Sequence, residues 1–470
     1  MPNLWSGRFE GDPDPDAFQF GVSFPFDRQL FEDDVTGSLA WVEALAKADA
    51  LTAEDAGTLE RGLRTILDRG LQDPSFVTGA DEDVHAFVER QLTELVGQTG
   101  KRLHTGRSRN EQVSLDLRLY LRRRIPLLQQ KLEQLIEGLI DQAERAEDAL
   151  MPSYTHLRRA MPVLVAHFFL AHVAALRRDH MRLAAAISEA DALPLGSGAV
   201  AGTGYAIDTG LLARRLGFSR VVANSLDASS DRDFVSVFLH ACALAMVHLS
   251  RMAEDLIIFS GEEFGFFSLA DASSTGSSMM PQKKNPDPLE LVRGKAGRTI
   301  GHLTGWLITL KGLPSGYNKD LQEDKEATFD AEATLANALV ATTAVVGSLT
   351  LDRVVSAHAA SGLLLATDVA DFLATRGLEF RTAHEVVGTM VRRLLAEGRD
   401  FASLTLAEWR TFSDRFDERI LQVITPQASV RARGTPQSTH PDAVAAALAE
   451  VKAWVADRMA QRIKGVSSGA

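Results

Sequence analysis

Residues 275–290 read TGSSMMPQKKNPDPLE, and the residue types suit the holding of a doubly negative ligand. Gly276 allows a close backbone approach, Ser277 and Ser278 supply hydroxyls, and Lys283 and Lys284 supply positive charge. Pro286 and Asp287 then have the character of a helix start, which would bring the positive end of a helix dipole beside the lysines. The segment is neither a P-loop nor a nucleophile elbow, because neither GxxxxGKS/T nor GxSxG fits it. A mobile surface loop would have the same composition, so both readings stand at this level.

Two further polar connections carry reactive types. Between 98 and 112, QTGKRLHTGRSRNEQ interleaves Lys101, Arg102, Arg107 and Arg109 with hydroxyl and amide donors, as a grip on an anion would, or an ordinary solvated loop. Between 151 and 162, MPSYTHLRRAMP sets Thr155 and His156 between two prolines. A lone histidine is more often structural than catalytic. No HExxH and no histidine pair at helical i, i+4 spacing with a carboxylate appears, so a zinc site is not expected.

The elements that must position these connections are helices. Apolar residues recur every three or four positions from Gln112 to about 150, interrupted by Pro126, and further helices are expected at about 162–191, 230–260, 287–312 and 324–351. Strand-like alternation is scarce, which makes the expected class all-α. The stretch 234–259 is apolar around most of its circumference, which suggests subunit contacts. Gly294, Gly297, Gly301 and Gly305 form a stripe continuing the face of Glu290. Each interior helical glycine costs about 1 kcal/mol relative to alanine, so close approach of another helix is expected to compensate.

Composition narrows the partners. Of 470 residues, 50 are Lys or Arg and 62 Asp or Glu; the net charge of −12 argues against nucleic acid as a partner. The sole cysteine, Cys242, permits no intrachain disulfide and fits a reducing cytoplasm. The N-terminus lacks a cationic segment followed by an apolar one, and the longest apolar run, Met161 to Leu176, carries His167 and His172, so neither a signal peptide nor a membrane span is expected.

GSSMMPQKKNP matches without a break the signature of the fumarase/aspartase superfamily, whose members eliminate fumarate from a substrate. The chain most resembles its argininosuccinate lyase and δ-crystallin branch, through LWSGRF at 4–9, SFPFDRQLFEDDVTGSLAW, DEDVHAFVE, KRLHTGRSRNEQV, MPSYTHLRRAMPV, NSLDASSDRD and LKGLPSGYNKDLQEDKE. The resemblance implies a reversible elimination of argininosuccinate to arginine and fumarate, without metal or organic cofactor. It matches Ser277 to the family's catalytic serine and His156 to a histidine that pairs with a helix carboxylate, here Glu290, with Lys283 favouring the serine anion. Ser23, Asn110, Thr155, Tyr317, Gln322 and Lys325 match substrate-binding positions, with Arg109 and Asn285 as neighbours. Asp27 and Asp83 match acidic positions that would meet a cationic end of the substrate or simply cap a helix. The resemblance also implies a homotetramer with shared active sites, a helical N-terminal domain at 1–111, a long-helix bundle at 112–355 and a helical C-terminal domain at 356–470.

Two departures stand out. Glu111 follows GRSRN where the family usually has aspartate, which would shift Asn110 slightly, and RARGTPQSTHPDAV only loosely follows the family's ending. A fumarase, aspartase or adenylosuccinate lyase would not carry YNKDLQEDKE. A structural protein of the δ-crystallin kind would keep the fold without turnover.

Overall fold

The computed structural model describes residues 14–468, so LWSGRF at 4–9 lies outside the described residues. The described chain is predominantly α-helical, with short two-stranded ladders between helices. The expected long helices are present as Arg109–Ala146, Val165–Ala190, Asp233–Ser260, Asp287–Leu310 and Asp324–Ser348. Pro126 lies inside the first of these. The chain divides into two compact units.

The first unit takes in the chain to Gln129, with Met181–Leu244 and Gly297–Leu335. Its N-terminal helices are set by their caps: the Thr52 side chain accepts from Asp55 N–H to start Ala53–Gln72, and Asp83 accepts from Ala86 N–H to start Val84–Val96. Their apolar stripes bury Leu59, Leu63, Ile66, Phe87 and Leu92 around Trp41 and Leu45 of Phe31–Lys47. Gly70 is required by contact, since a Cβ there would fall 2.2 Å from the Phe31 ring. Trp41 Nε1–H donates to the Thr105 carbonyl at 3.1 Å, which ties the Gly97–His104 turn to this core.

The second unit comprises Gln130–His180, Ala245–Ala296 and Ala336–Ala470. Its C-terminal part has its own core, in which Trp409, Phe401, Phe416 and Met390 are fully buried. The last helix, Pro441–Ser468, is tied down by ion pairs Lys452–Glu144 at 2.6 Å and Arg177–Glu450 at 2.9 Å.

The connection at 151–162 differs from the expected irregular loop. It is an antiparallel hairpin, Leu150–Thr155 with Arg158–Leu164. Thr155 pairs with Arg158, so His156 and Leu157 are the whole turn, at φ 54° and 55°. Both central residues of a type I′ turn need this left-handed backbone, which glycine and asparagine adopt more readily. The hairpin escapes a search for alternation because Pro152 and Pro162 face each other across it and its register shifts between Pro152 and Tyr154.

Asp233–Ser260 is long and apolar enough by composition to cross a membrane, and 56% of its most apolar window is buried inside the chain. Cys242 is among its buried residues.

Candidate active site

In the first unit, a cavity of about 210 Å³ is lined by Ser23, Asp27, Glu82, Asp83, His85, Arg109, Asn110, Val113, Tyr317, Lys319, Gln322 and Lys325. It thus gathers Ser23, Arg109, Asn110, Tyr317, Gln322 and Lys325 from three separate sequence segments. Ser23 O–H donates to Asp27 at 2.5 Å, and the other Asp27 oxygen accepts from Val84 N–H at 3.0 Å. Asp83 caps the Val84–Val96 helix and accepts from Arg109 at 2.9 Å. Both acids therefore line the cavity and also hold a helix start.

The electrostatics of the two acids differ. Burial raises Asp27 above the ordinary carboxylate range, against the lowering pull of His85 and Ser23. Asp83 is also opposed by burial, yet the charges of His85 and Arg109 and the Ala86 N–H outweigh it and hold Asp83 low. Burial raises the Tyr317 phenol. Lys325 is buried and bonded to Asp324 at 2.9 Å.

The 98–112 connection is not one anion grip. Arg102 turns to Asp55 at 2.6 Å, and buried Arg107 donates to Ser38 at 3.2 Å; of the four cations in that stretch, Arg109 lines the cavity. Sequence cannot separate these roles, because neighbouring residues on a tight turn and a helix start point in different directions. Glu111 is also structural. Fully buried, it accepts from Ser108 N–H at 3.0 Å, Gly196 N–H at 2.7 Å and Gly198 N–H at 3.0 Å, which fastens the 196–198 turn to the start of Arg109–Ala146. Asn110 donates to the Ala199 carbonyl at 3.3 Å.

The remaining residues named from the sequence belong to the second unit. Thr275 and Gly276 pair with Asn285 and Lys284, closing a loop around 277–283. Ser277 Oγ accepts from Met279 N–H at 3.3 Å and Met280 N–H at 3.0 Å. Two backbone donors on one hydroxyl oxygen favour negative charge there. Gly276 is not in the left-handed region, and a Cβ on it would meet open space, so the loop does not depend on its freedom. Lys284 is bonded to the Leu269 carbonyl and to Asp271 at 2.7 Å, a structural use, while Lys283 is exposed. Asn285 is half-buried beside the Asp287–Leu310 helix start.

His156 and Thr155 sit exposed at the hairpin end, and Glu290 is exposed on the first turn of Asp287–Leu310. Among the described residues there is no ion pair between His156 and Glu290; the Glu290 contact is Arg293 at 3.9 Å. The hairpin is braced behind its tip by Tyr154, whose ring lies 5.4 Å from Phe259 and 5.7 Å from Phe264.

The residues that sequence reading passed over are His85, Asp34 and Asp116. Their ligand atoms lie within 4.8 Å of one another, fully buried. A carboxylate–histidine set of this kind could hold a cation, but Arg107 faces both acids and already supplies positive charge. The signal available was the histidine of DEDVH, two residues after Asp83.

Long-helix architecture, a fumarate-lyase loop and a mixed acid–base cavity define a lyase of the fumarase/aspartase class. A family model described as "Lyase" matches residues 7–301, and one described as "Argininosuccinate lyase C-terminal" matches 363–431. The argininosuccinate lyase of Moorella thermoacetica is 47% identical over 99% of both chains, and that of Synechocystis sp. is 48% identical over 96% of this chain and 98% of its own. A crystal structure of EDDS lyase in complex with formate superposes with a TM-score of 0.85 at 26% identity, covering 97% of this chain and 93% of that one. The chain belongs to the argininosuccinate lyase family.

Proposed function

We propose that this chain catalyses the reversible elimination of argininosuccinate to arginine and fumarate. The observation that carries the reading is the gathering of Ser23, Arg109, Asn110, Tyr317, Gln322 and Lys325 around one cavity. Hydroxyl, amide and cationic donors suit a polycarboxylate, and Asp27 and Asp83 in the same lining suit its cationic end.

The chemistry follows from Ser277. A proton leaves the carbon next to a carboxylate and its electron pair passes into an aci-carboxylate; that pair then returns to form the C=C bond of fumarate as the C–N bonding pair leaves with nitrogen, which takes up a proton, releasing arginine. A free serine is a weak base. Support for an anionic Ser277 comes from the two N–H donors on its oxygen, from Lys283 in the same loop, and from the N-terminus of Asp287–Leu310 that follows the loop. His156, on its hairpin turn, is assigned to orienting or proton transfer with Glu290, and Thr155 and Asn285 to the substrate carboxylates.

The exposure of His156, Lys283 and Glu290 fits a site completed by other copies of the chain, and a homotetramer is part of this reading. The glycine stripe supports it, since a Cβ at Gly294, Gly297, Gly301 or Gly305 would meet open space among the described residues. A three-domain division at about 111 and 355, a cytoplasmic setting, a place in arginine biosynthesis, a lack of metal or organic cofactor, and no nucleic-acid or membrane partner belong to the same proposal.

The test is release of fumarate, followed by its ultraviolet absorbance, from argininosuccinate with adenylosuccinate, aspartate and malate in parallel. Release from argininosuccinate alone is expected. Silence with all four from a folded protein would favour a purely structural role of the δ-crystallin kind.

A further inference from the structure

Asn110 lines the cavity, and its side chain takes its direction from a loop behind it. Its Nδ2–H donates to the Ala199 carbonyl at 3.3 Å. A side-chain amide carries two N–H groups and one oxygen in a single plane, so engaging one N–H sets where the other N–H and the oxygen point. The direction of the Asn110 amide therefore depends on where the Ala199 carbonyl is held.

Glu111 does the holding. One of its oxygens accepts from Ser108 N–H at 3.0 Å, while Ser108 Oγ accepts from Asn110 N–H at 3.2 Å, so the start of Arg109–Ala146 is capped. The other oxygen accepts from Gly196 N–H at 2.7 Å and Gly198 N–H at 3.0 Å. One fully buried side chain thus joins the helix start that carries Asn110 to the turn that leads into Ala199. That turn is tight. Gly198 has φ 58°, and a Cβ on it would fall 2.3 Å from the Gly202 carbonyl, while Gly202 N–H donates to the Ser197 carbonyl at 2.7 Å. Beyond Ala199, Ser225 O–H donates to the Val200 carbonyl at 2.9 Å, and the Tyr205 ring lies so close to Gly106 that a Cβ there would fall 2.4 Å from it. Without the Glu111 oxygen, the Gly196 and Gly198 N–H groups would lose their acceptor, and a turn this compact would rearrange to find another.

We propose that Glu111 is a positioning residue for substrate binding: through the 196–199 turn it sets the Ala199 carbonyl that orients the Asn110 amide, so that the second Asn110 N–H is presented to a carboxylate of the substrate. Glu111 acts from behind the cavity lining and Asn110 makes the contact. The inference rests on the argininosuccinate lyase reading and adds to it the device that aims one of the carboxylate-binding groups.

A double-mutant cycle separates this role from a merely structural one. Glu111→Gln keeps the size of the side chain and puts an NH₂ group, which cannot accept, in place of one acceptor oxygen. Affinities for arginine and for fumarate, the two products, would be measured separately by calorimetry on the assembled protein for the unsubstituted chain, Glu111→Gln, Asn110→Ala and the double variant. Glu111→Gln should weaken by about tenfold the same product that Asn110→Ala weakens, as for loss of a hydrogen bond to a charged group, and should add nothing further once Asn110 is gone. Unchanged affinity in Glu111→Gln with a lowered thermal midpoint, a loss that adds in full to that of Asn110→Ala, or no loss of either product in Asn110→Ala overturns the proposal. Should Glu111→Gln fail to fold, Gly198→Ala displaces the same turn with the Glu111 carboxylate still present: affinity lost only where Asn110 is retained supports the route, and unchanged affinity refutes it. Fumarate release from argininosuccinate by the unsubstituted protein, run alongside, keeps the two failures apart. Its absence defeats the lyase reading, whereas release together with unaltered or additive binding in Glu111→Gln defeats the role of Glu111.

Discussion

Ser277 is the residue on which the proposed chemistry turns, and its surroundings give the prediction a magnitude. Replacing Ser277 with alanine removes the oxygen toward which Met279 and Met280 point their N–H groups, and leaves the Thr275–Asn285 ladder untouched. Turnover of argininosuccinate should fall by at least about a hundredfold, the lower range for a positioned acid–base group, at unchanged oligomer mass. Near-normal turnover would remove serine from the mechanism. His156→Asn should also cut turnover sharply, and it tests whether the turn itself matters, because asparagine accepts the left-handed backbone observed at φ 54° more readily than histidine. A folded, assembled but slow variant assigns the loss to the imidazole. A variant that no longer assembles makes His156 a structural residue. At this scale the sequence disclosed residue types well and directions poorly. The hydroxyls and lysines of 275–290 were legible, but not that Lys284 is bonded to Leu269 and Asp271 while Lys283 stays exposed. Glu111, read as a neighbour of an anion site, proved to be a buried acceptor for three backbone N–H groups, contacts whose sequence separation reaches 87 residues.

Helices were legible because their signal is periodic and local, so the long ones fall within a few residues of their expected bounds. The hairpin was not, since its strands carry prolines and a register shift and its turn lacks the usual asparagine–glycine pair. What holds these elements together also sets an acid limit. Within the second unit, His172 lies in Val165–Ala190, 3.5 Å from Asp255 of Asp233–Ser260 and with its ring against Phe168. Burial, then the charge of Arg251, pushes His172 down to about 4, and burial, then Arg458, does the same to His180 beside Glu133. The folded value lies below the unfolded one, near 6.5. The stability these neutral rings contribute is therefore complete above about pH 6.5 and is lost as pH falls toward about 4. A melting series from about pH 7 to about pH 5 should show the thermal midpoint falling, and falling less in His172→Gln, which has no proton to take up. Parallel curves for the two proteins would show that His172 is not part of the acid response.

For the whole molecule, the question is what covers the glycine face of Asp287–Leu310. The stripe was legible in the sequence, but what covers it was not, because a single sequence does not say which surface it serves. Within the chain a side chain at Gly301 would meet open space, and Leu291, Ile300, Leu307 and Ile308 of the same helix are exposed. Four interior glycines cost about 4 kcal/mol of helix propensity, so retaining them calls for a close neighbour that side chains would push away. Gly301→Leu exploits the opposition between the two effects. For the isolated chain the change should be neutral or favourable, since leucine is the better helix former and a Cβ at this position meets nothing within 4 Å among the described residues. For an assembly in which another copy packs its backbone against the stripe, the same side chain forces the helices apart, and overpacking of that kind typically costs about 1–3 kcal/mol at each contact. Light scattering should thus report a tetramer for the unsubstituted protein and a smaller species for Gly301→Leu, with helical circular dichroism preserved and turnover lost with the mass. A variant that remains tetrameric and active would free the glycine face from the interface, and the site would then have to be completed by some other arrangement of the chain.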